Sequence, residues 1–193
     1  KRPLKSDRES SMNNKKNFSA KSGHRKISVK LKTARGRTNS SQRWLQRHLN
    51  DPYVQRARAE GYRSRAAFKL LEIHQKFDLI HPGQTLVDLG AAPGGWTQVL
   101  SRILEGKTPK STLIAMDLLP MDPLPDVTFI QGDFSEASSY EALLQTTQQG
   151  VDLVLSDMAP VTTGHKKTDH IRIMDLVEQA ADFALKVLNP KGS

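Results

Sequence analysis

Apolar residues in this chain follow two spacings, and the alternation between them outlines the fold. Short runs rich in β-branched and apolar residues occur at 85–87 (TLV), 111–117 (STLIAMD), 127–133 (VTFIQGD) and 151–158 (VDLVLSDM). Runs of this length and composition predict strands buried on both faces. Around them lie segments with helical spacing at 97–104, at 135–148, and from about Asp169 to Leu188, where Pro190 prevents continuation. Strands alternating with helices predict an α/β domain built on a parallel sheet, with ligands at the carboxyl ends of the strands.

Three further helices are expected before the first strand. Ser41 is read as the N-cap of a short helix carrying Trp44 and Leu45, Pro52 opens a second that runs towards Gly61, and Ser64 caps a third over Arg65 to Lys76. On the third, Ala66, Leu70, Ile73 and Phe77 share one face, which is predicted to be buried. Lys69 stands at the edge of that face, where its stem covers apolar surface while its ammonium looks into a cleft. Taken singly, Lys69 reads as an ordinary exposed helix lysine.

Residues 1 to about 40 follow neither spacing. They are rich in Lys, Arg, Ser and Asn, with isolated apolar residues such as Leu4, Phe18 and Ile27. Too little apolar surface is available there to offset ordering entropy, so a disordered arm is expected over 1–40 and one domain over 41–193. Charge divides the chain at nearly the same place. Residues 1–50 hold 15 basic and 2 acidic groups, residues 51–193 hold 14 and 18, and the net charge of the 193 residues is +9. A cationic arm on a near-neutral body points to a polyanionic partner, nucleic acid before membrane, because the arm lacks an apolar face. A solvated tail is the commoner fate of such a run.

Cysteine is absent, which excludes disulfides, thiolate metal sites, iron–sulfur clusters and cysteine nucleophiles. No apolar run approaches the roughly 20 residues that span a bilayer. The first residues are too polar for a secretory signal, and a cytoplasmic protein is expected.

The sharpest signal is DLGAAPGGW, Asp88 to Trp96, a glycine-rich turn between a strand and a helix. Such a turn lets a ligand lie against backbone and leaves N–H groups at the helix start to receive polar atoms. A lone glycine cluster is also compatible with a tight turn and no ligand. Four consecutive strands, however, end on or just before an acid: Asp88, Asp117, Asp133 and Asp157. Asp117 follows Gly95 by 22 residues, the spacing at which an acid meets the ribose hydroxyls of a dinucleotide or adenosyl cofactor. The turn reads GAAPGG and not GxGxxG, and no GKS/T follows, so a cofactor without phosphates fits better than NAD. S-adenosylmethionine fits that requirement and is the expected cofactor, with Asp117 on the ribose and Asp133 near the adenine edge. A dehydrogenase using NAD is the weaker enzyme alternative.

With no thiolate, covalent methylation at carbon 5 of a pyrimidine is closed. The run after the fourth strand is SDMAP, Ser156 to Pro160, and not the Asn/Asp-Pro-Pro-aromatic run associated with amine methylation. An oxygen acceptor remains, and beside a cationic arm a ribose 2′-hydroxyl is the natural candidate. So weak an acid needs an ammonium to favour its alkoxide and a carboxylate to orient that ammonium. Lys69 and Asp157 are the pair chosen. His165, Asp169 and His170 match no common metal-ligand spacing, and no metal is expected. Trp44 is read as a helix-packing residue or a base-stacking one.

The segments SSQRWLQ, DPYVQRARAEGYRSRAAFKL, DLGAAPGGW, DLLPMDPL, QGDF and SDMAP together resemble the FtsJ/RrmJ-type 2′-O-ribose methyltransferases of large-subunit ribosomal RNA, from about Ser41 to the end of the chain. The resemblance implies a Rossmann-like, S-adenosylmethionine-dependent methyltransferase fold, normally seven-stranded, and a uridine 2′-oxygen as target. It implies cofactor contacts at Gly94, Trp96, Asp117, Asp133 and Asp157, and a catalytic Lys-Asp-Lys-Glu set whose first two members match Lys69 and Asp157. The other Lys and the Glu lie in the family beyond the segment matching 188–193. A parallel sheet lacking its last strands, exposed strand edges and a poor catalyst or none are therefore expected of these 193 residues. The partner implied is ribosomal RNA of the large subunit, met by a monomer. The competing possibility from another class is a non-catalytic RNA-binding or ribosome-assembly protein that retains the cofactor fold.

Overall fold

In the computed structural model, which describes residues 38–160 and 162–193, four strands form one parallel sheet. They are β1 (Thr85–Leu89), β2 (Thr112–Asp117), β3 (Val127–Gln131) and β4 (Leu153–Ser156), in the order β3-β2-β1-β4. Leu89 is in register with Met116 on one side and Ser156 on the other. The chain lays β2 and β3 outward on one side of β1 and then returns to place β4 on the other. Order therefore reverses at β1, and a crevice opens at its carboxyl end, where α/β sheets of this kind bind ligands. The Rossmann-like α/β expectation holds for the strands present.

Helices cover both faces. They are α1 (Asn39–Leu49), α2 (Pro52–Ala59), α3 (Ala66–Phe77), α4 (Gly95–Leu104), α5 (Ala137–Thr146) and α6 (Lys166–Val187). Strand side chains alternate between two cores. Leu86, Leu113, Leu153 and Leu155 meet Ala67 and Leu70 of α3 and Trp96, Val99 and Leu100 of α4. Val87, Leu89, Ile114 and Met116 meet Phe134, Leu143 of α5 and Phe183 of α6. By the same alternation Asp88 shares the side of Leu86, towards α4. Burying so many aliphatic groups, at roughly 1.5 to 3 kcal/mol each, outweighs the cost of enclosing one carboxylate there.

Several local expectations need correction. Helix α1 starts before Ser41, because Thr38 caps it: the Ser41 N–H donates to Thr38 Oγ1 at 3.3 Å and the Gln42 N–H to the Thr38 carbonyl at 3.0 Å. Ser64 does not cap α3 through its side chain. The residue at that cap is Arg65, and the first turn is closed by the Ala67 N–H donating to the Ser64 carbonyl. The buried face of α3 is also rotated from the expected one, to Ala67, Phe68 and Leu70, while Phe77 is 58% exposed. The reason is that α3 packs on two neighbours, with Ala67 and Leu70 turned to the sheet and Phe68 enclosed by Tyr53, Tyr62 and Arg56. Helix α6 begins three residues earlier than read, at Lys166.

The outer edge of β4 is not bare as expected. Leu188 bridges Val151 in parallel, the Ser193 N–H donates to the Asp152 carbonyl at 3.0 Å, and the Val154 N–H donates to the Ser193 carbonyl at 2.9 Å. Helix α6 buries only Ala180 and Phe183 and exposes Ile171, Met174, Val177 and Leu185. The expected arm lies outside the described residues up to 37, as does the side chain of Trp44. Among the described residues no helix is long and apolar enough to cross a membrane.

Candidate active site

Leaving β1, the chain turns sharply at Gly90, with φ of 78°, and again at Gly94, with φ of 101°. Both values suit glycine, whose missing Cβ removes the clash that an L side chain meets there. The Gly90 and Ala91 N–H groups donate to the Met116 carbonyl at 2.9 and 3.1 Å, which ties the turn to the end of β2. Space as well as dihedral angle requires these glycines. A Cβ on Gly90 would come within 2.8 Å of the Met158 backbone, one on Gly94 within 2.7 Å of the Arg63 guanidinium, and one on Gly95 would overlap the Ser64 hydroxyl. Ligand access is the reason the sequence suggests; close packing of the turn against Arg63 and Ser64, just before α3, and against the segment after β4 is a second reason, seen only in three dimensions.

Trp96 follows at the start of α4. It is buried, and its indole N–H donates to the Ala66 carbonyl at 2.8 Å, fastening α4 to the first turn of α3. This contact directs α3 so that Lys69, one turn on, reaches over the sheet end. Lys69 Nζ lies 5.6 Å from the centre of the Trp96 ring and donates to Asp157 Oδ1 at 2.7 Å. Asp157 directly follows β4, and its own N–H donates to the Leu89 carbonyl at 3.1 Å, so the carboxylate stands beside the mouth of the glycine turn. Lys69 and Asp157 are thus brought together from 88 residues apart, both partly open to solvent.

The other three acids have distinct settings. Asp88 is fully buried beneath the turn; Oδ2 accepts from the Thr97 hydroxyl at 2.6 Å and Oδ1 has no hydrogen-bond partner. Burial pushes its pKa up to about 6, against the Thr97 hydrogen bonds and with added repulsion from the Asp157 and Asp117 charges. Asp117 holds backbone: Oδ2 accepts from the Ala92 N–H at 2.9 Å and Oδ1 from the Leu119 N–H at 2.7 Å. Asp133 Oδ1 accepts from the Ser135 hydroxyl and N–H, and these hydrogen bonds hold its carboxyl below the usual carboxylate range.

Two clefts meet at Gly90. One, of about 400 Å³, lies over the ends of β1 and β2 and is lined by Met116, Asp117, Asp133, Phe134 and Met158. The other, of about 460 Å³, runs beneath α2 and α3 and is lined by the glycine turn, Arg58, Arg63, Trp96 and Asp157. Asp117 and Asp133 therefore share one chamber, and Trp96 and Asp157 the next. Gly94 lines neither; its neighbours Pro93 and Gly95 line the second.

Arg63 carries no signal in the sequence. Its backbone N–H donates to Gln98 Oε1 of α4 at 2.9 Å, and its guanidinium donates to the Pro93 carbonyl in the turn at 3.5 Å, the Asp122 carbonyl at 2.7 Å and the Pro123 carbonyl at 3.1 Å. It therefore clasps the loop after β2 to the turn after β1. Asp51 is a second residue that sequence reasoning misses, although its place before Pro52 is a capping signal. It caps α2 by accepting from the Tyr53 N–H at 2.8 Å and pairs with Arg65. Burial works against its charge, but those two contacts outweigh it and hold Asp51 below the usual range. Asp169 has a structural task, accepting from the Thr163 N–H and hydroxyl and the Gly164 N–H, which lowers its pKa and shapes the loop before α6.

Comparison with known proteins fits this geometry. The family model described as FtsJ-like methyltransferase matches residues 62–193. Ribosomal RNA large subunit methyltransferase E of Rickettsia bellii is 54% identical over 173 residues, 89% of this chain and 76% of that protein. The same-named protein of Rickettsia akari is 53% identical over equal shares. Among solved structures, a ribosomal RNA methyltransferase from Plasmodium falciparum superposes with a TM-score of 0.62 at 32% identity, covering 68% of this chain and 75% of the other. With the glycine turn, the acidic strand ends and the sheet order in place, these matches establish that the chain belongs to the FtsJ-like methyltransferase family.

Proposed function

We propose that this chain methylates the 2′-hydroxyl of a uridine ribose in large-subunit ribosomal RNA, with S-adenosylmethionine as the donor. The names of the Rickettsia relatives support ribosomal RNA as substrate. The observation that carries the chemistry is the Lys69–Asp157 contact of 2.7 Å at the rim of the donor-side chambers.

The residues suit the donor. Its adenosine offers hydroxyl and amino hydrogens, and the chamber over β2 presents two carboxylates, Asp117 and Asp133, between apolar walls of Met116, Phe134 and Met158. Asp117 would take the ribose hydroxyls and Asp133 the adenine edge, while Trp96 and Asp157 would border the methionine portion and Gly94, outside both chambers, would shape the turn beside it. When bound, the donor supplies an electrophilic methyl group on a sulfonium centre.

The chain's own residues prepare the acceptor oxygen. The Lys69 ammonium stabilises negative charge developing on a ribose 2′-oxygen as the hydroxyl proton leaves to solvent, which reaches the partly exposed pair, and Asp157 fixes the direction of that ammonium. Holding oxygen and methyl carbon in line contributes up to roughly 7 to 11 kcal/mol of barrier lowering. The test is single-turnover incubation of unmethylated large-subunit ribosomal RNA with excess protein and donor, followed by nucleoside mass spectrometry. The expected product is 2′-O-methyluridine, formed slowly. Base-methylated nucleosides would contradict the proposal, and RNA and donor binding without transfer would favour a binding module.

A further inference from the structure

A third cleft, of about 370 Å³, adjoins the second one along Arg65, Ala66 and Asp157. Tyr53, Arg65, Phe68, Lys69, Glu72 and Asp157 line it, so the Lys69–Asp157 pair forms its inner wall. Arg65, Lys69 and Glu72 are spaced i, i+4, i+7 and follow one face of α3. The face therefore runs from cation through the reactive pair to anion. Tyr53 stands opposite, on the first turn of α2, 47% exposed.

Exposure of that ring is not looseness. It packs on buried Phe68 with centroids 5.8 Å apart, and Phe68 is in turn held edge-on by Tyr62 and covered by Arg56. Asp51 secures the turn beneath, binding the Tyr53 N–H and Arg65 together. A rigid aromatic surface next to a cation and a candidate reactive pair is the arrangement on which an unstacked base is received, because stacking costs little when the ring is already fixed.

Resting on the methyltransfer reading above, we propose that this cleft seats the acceptor nucleotide, with its base stacked on Tyr53 and its ribose against Lys69 and Asp157.

The test uses the donor-loaded chain and a large-subunit ribosomal RNA transcript substituted with 4-thiouridine, photocrosslinked and mapped by peptide mass spectrometry. The tryptic peptide spanning residues 48–56 is expected to carry a major crosslink. Tyr53→Ala should lower that crosslink at least about fivefold and Tyr53→Trp should keep it within about twofold, with donor affinity unchanged in both. Crosslinks confined to other peptides, or a yield indifferent to Tyr53→Ala, would overturn the proposal and leave the methyltransfer reading standing. Absence of any RNA crosslink would overturn both.

Discussion

Asp117 Oδ2 accepts the Ala92 N–H at 2.9 Å, so the carboxylate at the end of β2 is a fastening for the glycine turn that follows β1. The residue proposed for the donor ribose is therefore also part of the frame around it. Asp133, by contrast, bonds only locally, to Ser135.

These settings predict different outcomes for two similar substitutions. Asp133→Ala should weaken S-adenosylmethionine binding about ten- to a hundredfold, as expected on removing one charge-assisted hydrogen bond, with little change in melting temperature. Asp117→Ala should weaken binding at least as much and also cost about 1 to 3 kcal/mol of stability, because two backbone N–H groups are left without an acceptor. Calorimetric titration and denaturant melts on both variants check this; equal stability of the two would contradict it.

Much of this frame is legible in the sequence, for identifiable reasons. Strands buried on both faces read as unbroken apolar runs, and a strand-to-helix glycine turn has a composition of its own. Acceptor chemistry and family resemblance both pair Lys69 with Asp157, and the fold places them in contact. What escapes is any contact without a local pattern. Arg63 donates to carbonyls some 60 residues away, and a carbonyl acceptor leaves no trace in side-chain identity. Helical spacing puts Phe77 in the core only if α3 packs on one surface, whereas it packs on the sheet and on α2. The capping role that the sequence suggests for Ser64 is precluded by its close approach to Gly95.

Gly95 supplies the second prediction. Gly95→Ala would force a Cβ onto the Ser64 hydroxyl and should destabilise the chain by about 1 to 3 kcal/mol. Ser64→Gly in the same chain should recover at least about half of that deficit, with a coupling energy of roughly 0.5 to 3 kcal/mol in a double-mutant cycle. Additive effects would show that the clash is not the cause.

Asp88 gives a pH dependence. Its native pKa, about 6, lies above the ordinary value of 3.8, so the folded chain binds more protons than the unfolded one between those limits. Stability contributed by its protonated form is present below about pH 4, falls as pH rises to about 6, and is absent above. Asp88→Asn keeps an acceptor for the Thr97 hydroxyl and removes the charge. It should raise stability at neutral pH by about 1 to 3 kcal/mol and flatten the profile between about pH 4 and 6. Parallel profiles for the two proteins would contradict the assignment.

The cationic N-terminus predicts a salt effect. Of the 29 basic residues, 15 lie in positions 1–50, and α1 begins only at Asn39. Deleting residues 1–37 should weaken RNA binding and flatten the dependence of log affinity on log salt, since the slope diminishes by nearly one for every phosphate that is no longer neutralised. Donor affinity should not change. An unaltered slope would show that this segment neutralises no phosphates.

Transfer of a labelled methyl group from S-adenosylmethionine to unmethylated large-subunit ribosomal RNA, under single turnover and compared between the chain and its Lys69→Met variant, bears most directly on the Lys69–Asp157 pair. Both proteins should bind the donor with affinities within about threefold, and the variant should transfer about 10² to 10⁴ times more slowly. Equal transfer rates at equal donor affinity would contradict the assignment of the acceptor chemistry to this pair.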